Sequence, residues 1–142
     1  MERRTLLKGI GAGAMMTALG EAGGMAQAAA NDGAVFELRI YHTYEGKLDA
    51  LLARFRDHTM TILKRHGIES VAYWTPTDEP LKVRTLVYML RHPNREAADA
   101  NWAAFRADPE WKQVSAASEV NGKLVEKIDS TFLKLTDFSP RI

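Results

Sequence analysis

Residues Val35 to His42, VFELRIYH, alternate with a period of two, the repeat of an extended strand with one face to a core. Phe36, Leu38 and Ile40 take one side; Glu37, Arg39 and Tyr41 take the other. After Gly46 the period changes. In KLDALLARFRDHTMTILKRHG, Leu48, Leu51, Leu52, Phe55, Ile62 and Leu63 recur three and four apart, which predicts an amphipathic helix. Lys64, Arg65 and His66 suit the negative end of its dipole, and Gly67 suits the left-handed backbone of a C-cap. RHG is therefore explained as a helix terminus, in preference to a catalytic histidine. The same change of period then occurs again. SVAYWT, Ser70 to Thr75, reads as a second strand stopped by Pro76, and KVRTLVYMLR, Lys82 to Arg91, as a third. His92-Pro93-Asn94 breaks the chain and places His92 in an exposed turn. Asn94 caps a helix over REAADANWAAFRA, with Ala98, Trp102 and Phe105 inward. Asp108-Pro109-Glu110 restarts a short helix, and Lys127 to Phe138 forms a last strand.

A β-α-β-β-α-β order predicts an α+β, ferredoxin-like fold, a four-stranded antiparallel sheet with both helices on one face. The uncovered face is expected to hold Arg39, Tyr41 and one apolar side of the third strand. An exposed apolar face of that extent exceeds what monomers usually carry. A homodimer joining two such sheets is the expected remedy.

The chain has 142 residues and a net charge of +1, which suits one domain and gives no electrostatic case for nucleic acid. It has no cysteine, which excludes disulfides and thiolate chemistry. His42, His58, His66 and His92 lack the spacing that puts two metal ligands on one helix face. Neither a metal nor a cofactor is called for.

Residues 1–30 read as a cleavable export signal: Arg3, Arg4 and Lys8, a short Gly/Ala-rich apolar run, then small-x-small sites ending at Ala28 and Ala30. RRTLLKG resembles the twin-arginine motif, which would make the twin-arginine export machinery a partner and the periplasm or exterior the destination. The apolar run is too short for a permanent membrane span. Cleavage after Ala30 leaves residues 31–142 with 16 basic and 16 acidic side chains.

ELRIY, RHGI, DPEW and TDFSP, in that order between Phe36 and Pro140, resemble the NIPSNAP family. The resemblance implies a dimeric α/β barrel, in a superfamily that includes cofactor-independent monooxygenases of polyketide quinones and haem-degrading enzymes. It names no reaction.

A pocket in such an architecture lies between sheet and helices or between paired sheets. Arg39, Tyr41, Trp74 and Tyr88 are the candidate ligand-binding residues, and His58, at the border of the helical stripe, is the candidate general base. A rim histidine bonded to backbone is the plainer reading of His58. Arg39 would either pair with a carboxylate such as Glu37 or grip an anionic ligand group. Phe55, Trp102, Phe105 and Trp111 are expected in the core. Two functions stay open: a protein that binds a small apolar or aromatic molecule, and a cofactor-independent monooxygenase-like enzyme using His58.

Overall fold

The computed structural model describes residues 33–142; the export signal read over residues 1–30 lies outside them. β1 (Val35–Thr43) and β3 (Thr85–His92) are the inner strands of a four-stranded antiparallel sheet, flanked by β2 (Glu69–Trp74) and β4 (Val125–Leu133) in the order β2-β3-β1-β4. The α+β, βαββαβ expectation holds. Boundaries differ most at two strand ends. Leu81–Val83 forms a 3-10 turn, so β3 begins three residues later than its alternation suggested, and β4 ends at Leu133 instead of Phe138.

The first helical rod has three parts, α1 (Leu48–Arg54), a π-helical turn (Phe55–Thr59) and α2 (Met60–Arg65). In the π turn the Met60 N–H reaches back to the Phe55 carbonyl, and the Thr59 hydroxyl donates to the Arg54 carbonyl at 3.2 Å. A π turn takes more residues to come full circle than an α turn. Thr59 therefore returns inward after Phe55, and His58 points outward and is exposed.

α2 closes with both bonds of a Schellman motif. Ile68 N–H donates to Leu63 O at 3.0 Å and Gly67 N–H to Lys64 O at 3.1 Å, with Gly67 at φ +74°. A Cβ at Gly67 would lie 3.3 Å from Asn101 Nδ2. Gly67→Ala is thus expected to cost about 1–2 kcal/mol through the left-handed backbone. A melting curve with the wild-type midpoint would refute that account of RHG. His66 sits at this cap, its Nε2 2.6 Å from Asp108 Oδ2. Asp108 meanwhile caps α4 (Pro109–Ser118) through Oδ1, which accepts from Glu110 N at 2.8 Å. Hydrogen bonds from Arg65 and His66 hold the Asp108 carboxyl well below the usual carboxylate range.

α3 (Arg95–Ala107) begins as its sequence indicates, with Asn94 Oδ1 accepting from Ala97 N at 2.7 Å. Its Ala98, Trp102 and Phe105 are buried, and with Leu51, Phe55, Ile62, Leu63, Leu86, Tyr88 and Leu90 they fill the space between helices and sheet. Trp111 is half-buried against that core.

The covered face of the sheet is the reverse of the expected one. Tyr41 packs edge-on to Phe55 at 5.6 Å and to Tyr88 at 5.3 Å, so Glu37, Arg39 and Tyr41 point at the helices. Leu38, Ile40, Val87, Met89 and Trp74 then lie on the open face, as strand alternation requires. Phe36 shares that face and is buried there, in a groove of about 260 Å³ whose lining includes Met89, Leu133, Leu135 and Ile142. No helix among the described residues is long and apolar enough to cross a membrane.

Candidate functional site

The helix-facing side of β1 supplies a carboxylate, a guanidinium and a phenol in alternate positions. Tertiary structure joins them into one buried network. Glu37 is 1% exposed and accepts four hydrogen bonds. Its Oε1 accepts from His92 Nε2 at 2.9 Å and Trp102 Nε1 at 2.7 Å. Its Oε2 accepts from Arg39 Nη1 at 2.7 Å and Ser130 Oγ at 2.8 Å. Burial alone pushes the carboxyl up, but the donors from His92, Trp102, Arg39 and Ser130 outweigh it and lower the pKa from 4.5 to about 2. Glu37 is thus a fixed anion at neutral pH.

Arg39 is held on every side. Its Nε donates to the Tyr88 hydroxyl at 2.8 Å and its Nη2 to the Tyr41 hydroxyl at 3.2 Å, and its plane lies 4.4 Å from the Trp102 ring centre. Burial pulls its pKa down, and its neighbours Tyr41, Tyr88 and Glu37 more than reverse that. Tyr88 donates to the Tyr41 hydroxyl at 3.0 Å and stacks on Tyr73 with centroids 5.1 Å apart. Burial first, and Tyr41 second, raise the Tyr88 pKa well above 10, against the opposing pull of Arg39. The phenol stays neutral. Tyr41 receives from both Arg39 and Tyr88, which leaves its own O–H proton to give.

Arg39, Tyr41 and Tyr88 are therefore brought together, and the carboxylate expected beside Arg39 is Glu37. Two other candidates are placed elsewhere. Trp74 lies on the opposite face of the sheet, 48% exposed. His58 is exposed on the π turn, and no hydrogen bond joins it to this network among the described residues. His92, read as an exposed turn residue, is fully buried. It is the last residue of β3, and extending the Leu86-Tyr88-Leu90 alternation by one step reaches it. Two wide surface grooves, about 500 Å³ beside Lys64 and Ser70 and about 590 Å³ beside Asp49 and Arg84, lie away from the network.

Solvent reaches the site over β4. The Arg39 side chain is 14% exposed, and the helix-facing residues Ile128 and Ser130 of that edge strand are exposed. A second arginine is buried on the helical side, against α4. Arg54 is 7% exposed, its Nη1 donates to Ser118 Oγ at 3.1 Å, and its plane lies 5.1 Å from the Trp111 ring centre.

The NIPSNAP family model matches residues 36–140. Comparison with curated proteins finds no match. Among solved structures, an uncharacterised NIPSNAP-like domain protein from Burkholderia xenovorans is 19% identical with a TM-score of 0.67, covering 78% of this chain and 91% of its own. A NIPSNAP family protein from Agrobacterium tumefaciens is 22% identical with a TM-score of 0.66, covering 75% and 97%. SnoaB, a cofactor-independent oxygenase from Streptomyces nogalater, is 12% identical with a TM-score of 0.51, covering 77% and 99%. These likenesses concern the fold.

Proposed function

The chain belongs to the NIPSNAP family, and from that premise we propose that it is an exported, homodimeric binding protein for a small apolar or aromatic molecule. The molecule enters over β4 and lies against Arg39 and Tyr41. The second copy closes the open sheet face that carries Leu38, Ile40, Val87 and Met89.

The observation that carries the binding reading is the state of Glu37. General-base catalysis needs a proton acceptor whose pKa lies near the working pH and which is free to receive. The network's carboxylate is held at about 2, with both oxygens already bonded to donors. His92 gives its Nε2 contact to that same carboxylate, and His58 lies apart. What faces an incoming molecule is a set of fixed donors and aromatic faces, suited to orienting a ligand oxygen and a ring.

Native mass spectrometry of the protein purified from its own host tests this. The expected spectrum is a dimer carrying a small molecule of constant mass. A persistently empty dimer would argue against the ligand. Oxygen consumption with a panel of quinone-forming phenols would favour a monooxygenase-like activity instead; if it is abolished by His58→Ala, it would restore that histidine as the base.

A further inference from the structure

Phe138 is the most exposed large apolar side chain among the described residues, at 84%. It belongs to TDFSP, a stretch after β4 that the buried network does not use. A turn holds it out. Ser139 N–H donates to the Thr136 carbonyl at 3.2 Å, which puts Asp137 and Phe138 at the apex. A lone exposed ring needs no explanation, but this one stands beside a recess.

The groove of about 260 Å³ is lined by Phe36, Met89, Leu133, Leu135 and Ile142, and also by Thr136 and Ser139, which flank the turn. Phe36 pairs with Leu133 across β1 and β4, and Met89 is the β3 partner of Leu38. The groove is therefore one end of the open face that carries Leu38, Ile40 and Val87. It is smaller than the roughly 300–1,000 Å³ of a typical ligand pocket, and it suits a single large side chain. Its lining includes a cation, Lys134, and the turn carries an acid, Asp137, next to Phe138. A two-fold interface brings one patch against itself, so the patch must hold both a projection and its complement. Phe138 and this groove are such a pair, matched in shape and in charge.

We propose that in the homodimer the Phe138 ring of each copy enters the groove of the other, beside Phe36 and Met89, and brings Asp137 to the other copy's Lys134. This rests on the open-face dimer above and adds the side chain that joins the two copies. The two rings together remove roughly 300–500 Å² from water, against about 1,600 Å² for a standard interface. The Met89 thioether is a favourable neighbour for an aromatic ring.

Sedimentation velocity over a dilution series, on protein purified from its own host, reads the dimer constant. Phe138→Ser should weaken the dimer about a hundredfold or more, because two buried rings are lost. Phe138→Leu, which keeps an apolar side chain, should weaken it about tenfold or less. Both variants should keep the wild-type circular dichroism, since the ring is exposed in the single subunit. A second measurement uses Phe138→p-benzoylphenylalanine, exchanged with heavy-isotope wild type and photolysed. Covalent dimers should form, with the adduct on Phe36, Met89 or Leu135 of the heavy copy. Wild-type dimer affinity in Phe138→Ser, or cross-links confined to the same chain or lying outside the groove, would overturn the Phe138 contact while the open-face dimer stands. Unmodified protein that sediments as a single subunit at low micromolar concentration would remove both.

Discussion

Glu37→Leu is expected to destabilise this domain by about 3–5 kcal/mol, the usual cost of removing one partner from a buried ion pair. Against a total stability of about 5–15 kcal/mol for a domain, most of the variant would be unfolded at temperatures the wild type tolerates. The substitution strands the Arg39 guanidinium and removes the acceptor from His92, Trp102 and Ser130 together. Glu37→Leu combined with Arg39→Met should recover part of the loss, because removing both charges leaves no stranded ion. A double variant no more stable than Glu37→Leu alone would contradict the pairing. The pH dependence has a definite sign. Glu37 takes up its proton near pH 4.5 when unfolded and near 2 when folded. Between those values the unfolded chain binds more protons, so stability falls as pH falls. The contribution, about 3 kcal/mol, is complete above about pH 5 and gone below 2. The stability gap between wild type and Glu37→Leu should therefore narrow between pH 6 and pH 2, as read by urea unfolding.

The second large effect concerns the other face of the sheet. Leu38→Asp should leave the chain monomeric where the wild type forms the proposed dimer, with little change in helical circular dichroism. Leu38 lies opposite Met89 on β3 and Thr131 on β4, on the side away from the helices. In the isolated subunit the new carboxylate meets water. In a face-to-face dimer, symmetry buries two of them near each other without a cation, each costing several kcal/mol. Their sum corresponds to a loss of at least a thousandfold in dimer affinity. A variant that still sediments as a dimer would show that the subunits join elsewhere.

Much of this architecture was legible locally. The two changes of period placed β1 and the first helix, and Asn94, Asp108-Pro109 and Gly67 marked their caps correctly because capping is a short-range property. Which side of β1 is interior was not legible. Alternation separates two faces without saying which one the helices cover, and Phe36, Leu38 and Ile40 are the more apolar set. Glu37 and Arg39 can be interior because Trp102 and Ser130, 65 and 93 residues from Glu37, bring donors to it. No local pattern reports such partners. His58 was misplaced for a different reason: regular helical spacing put it at the edge of the stripe, and the π turn gives the inward position to Thr59. Arg54 is a charged residue outside the apolar stripe of Leu48, Leu51, Leu52, Phe55, Ile62 and Leu63, yet it is buried against Trp111 on α4, a helix 55 to 64 residues further along.

In the proposed assembly the sheet has an ionic interior on one side and, on the other, an apolar face that a second copy covers. Sedimentation velocity of residues 31–142 at low micromolar concentration tests this most directly. It should give a single species of twice the chain mass. A stable, well-behaved single subunit under the same conditions would contradict it.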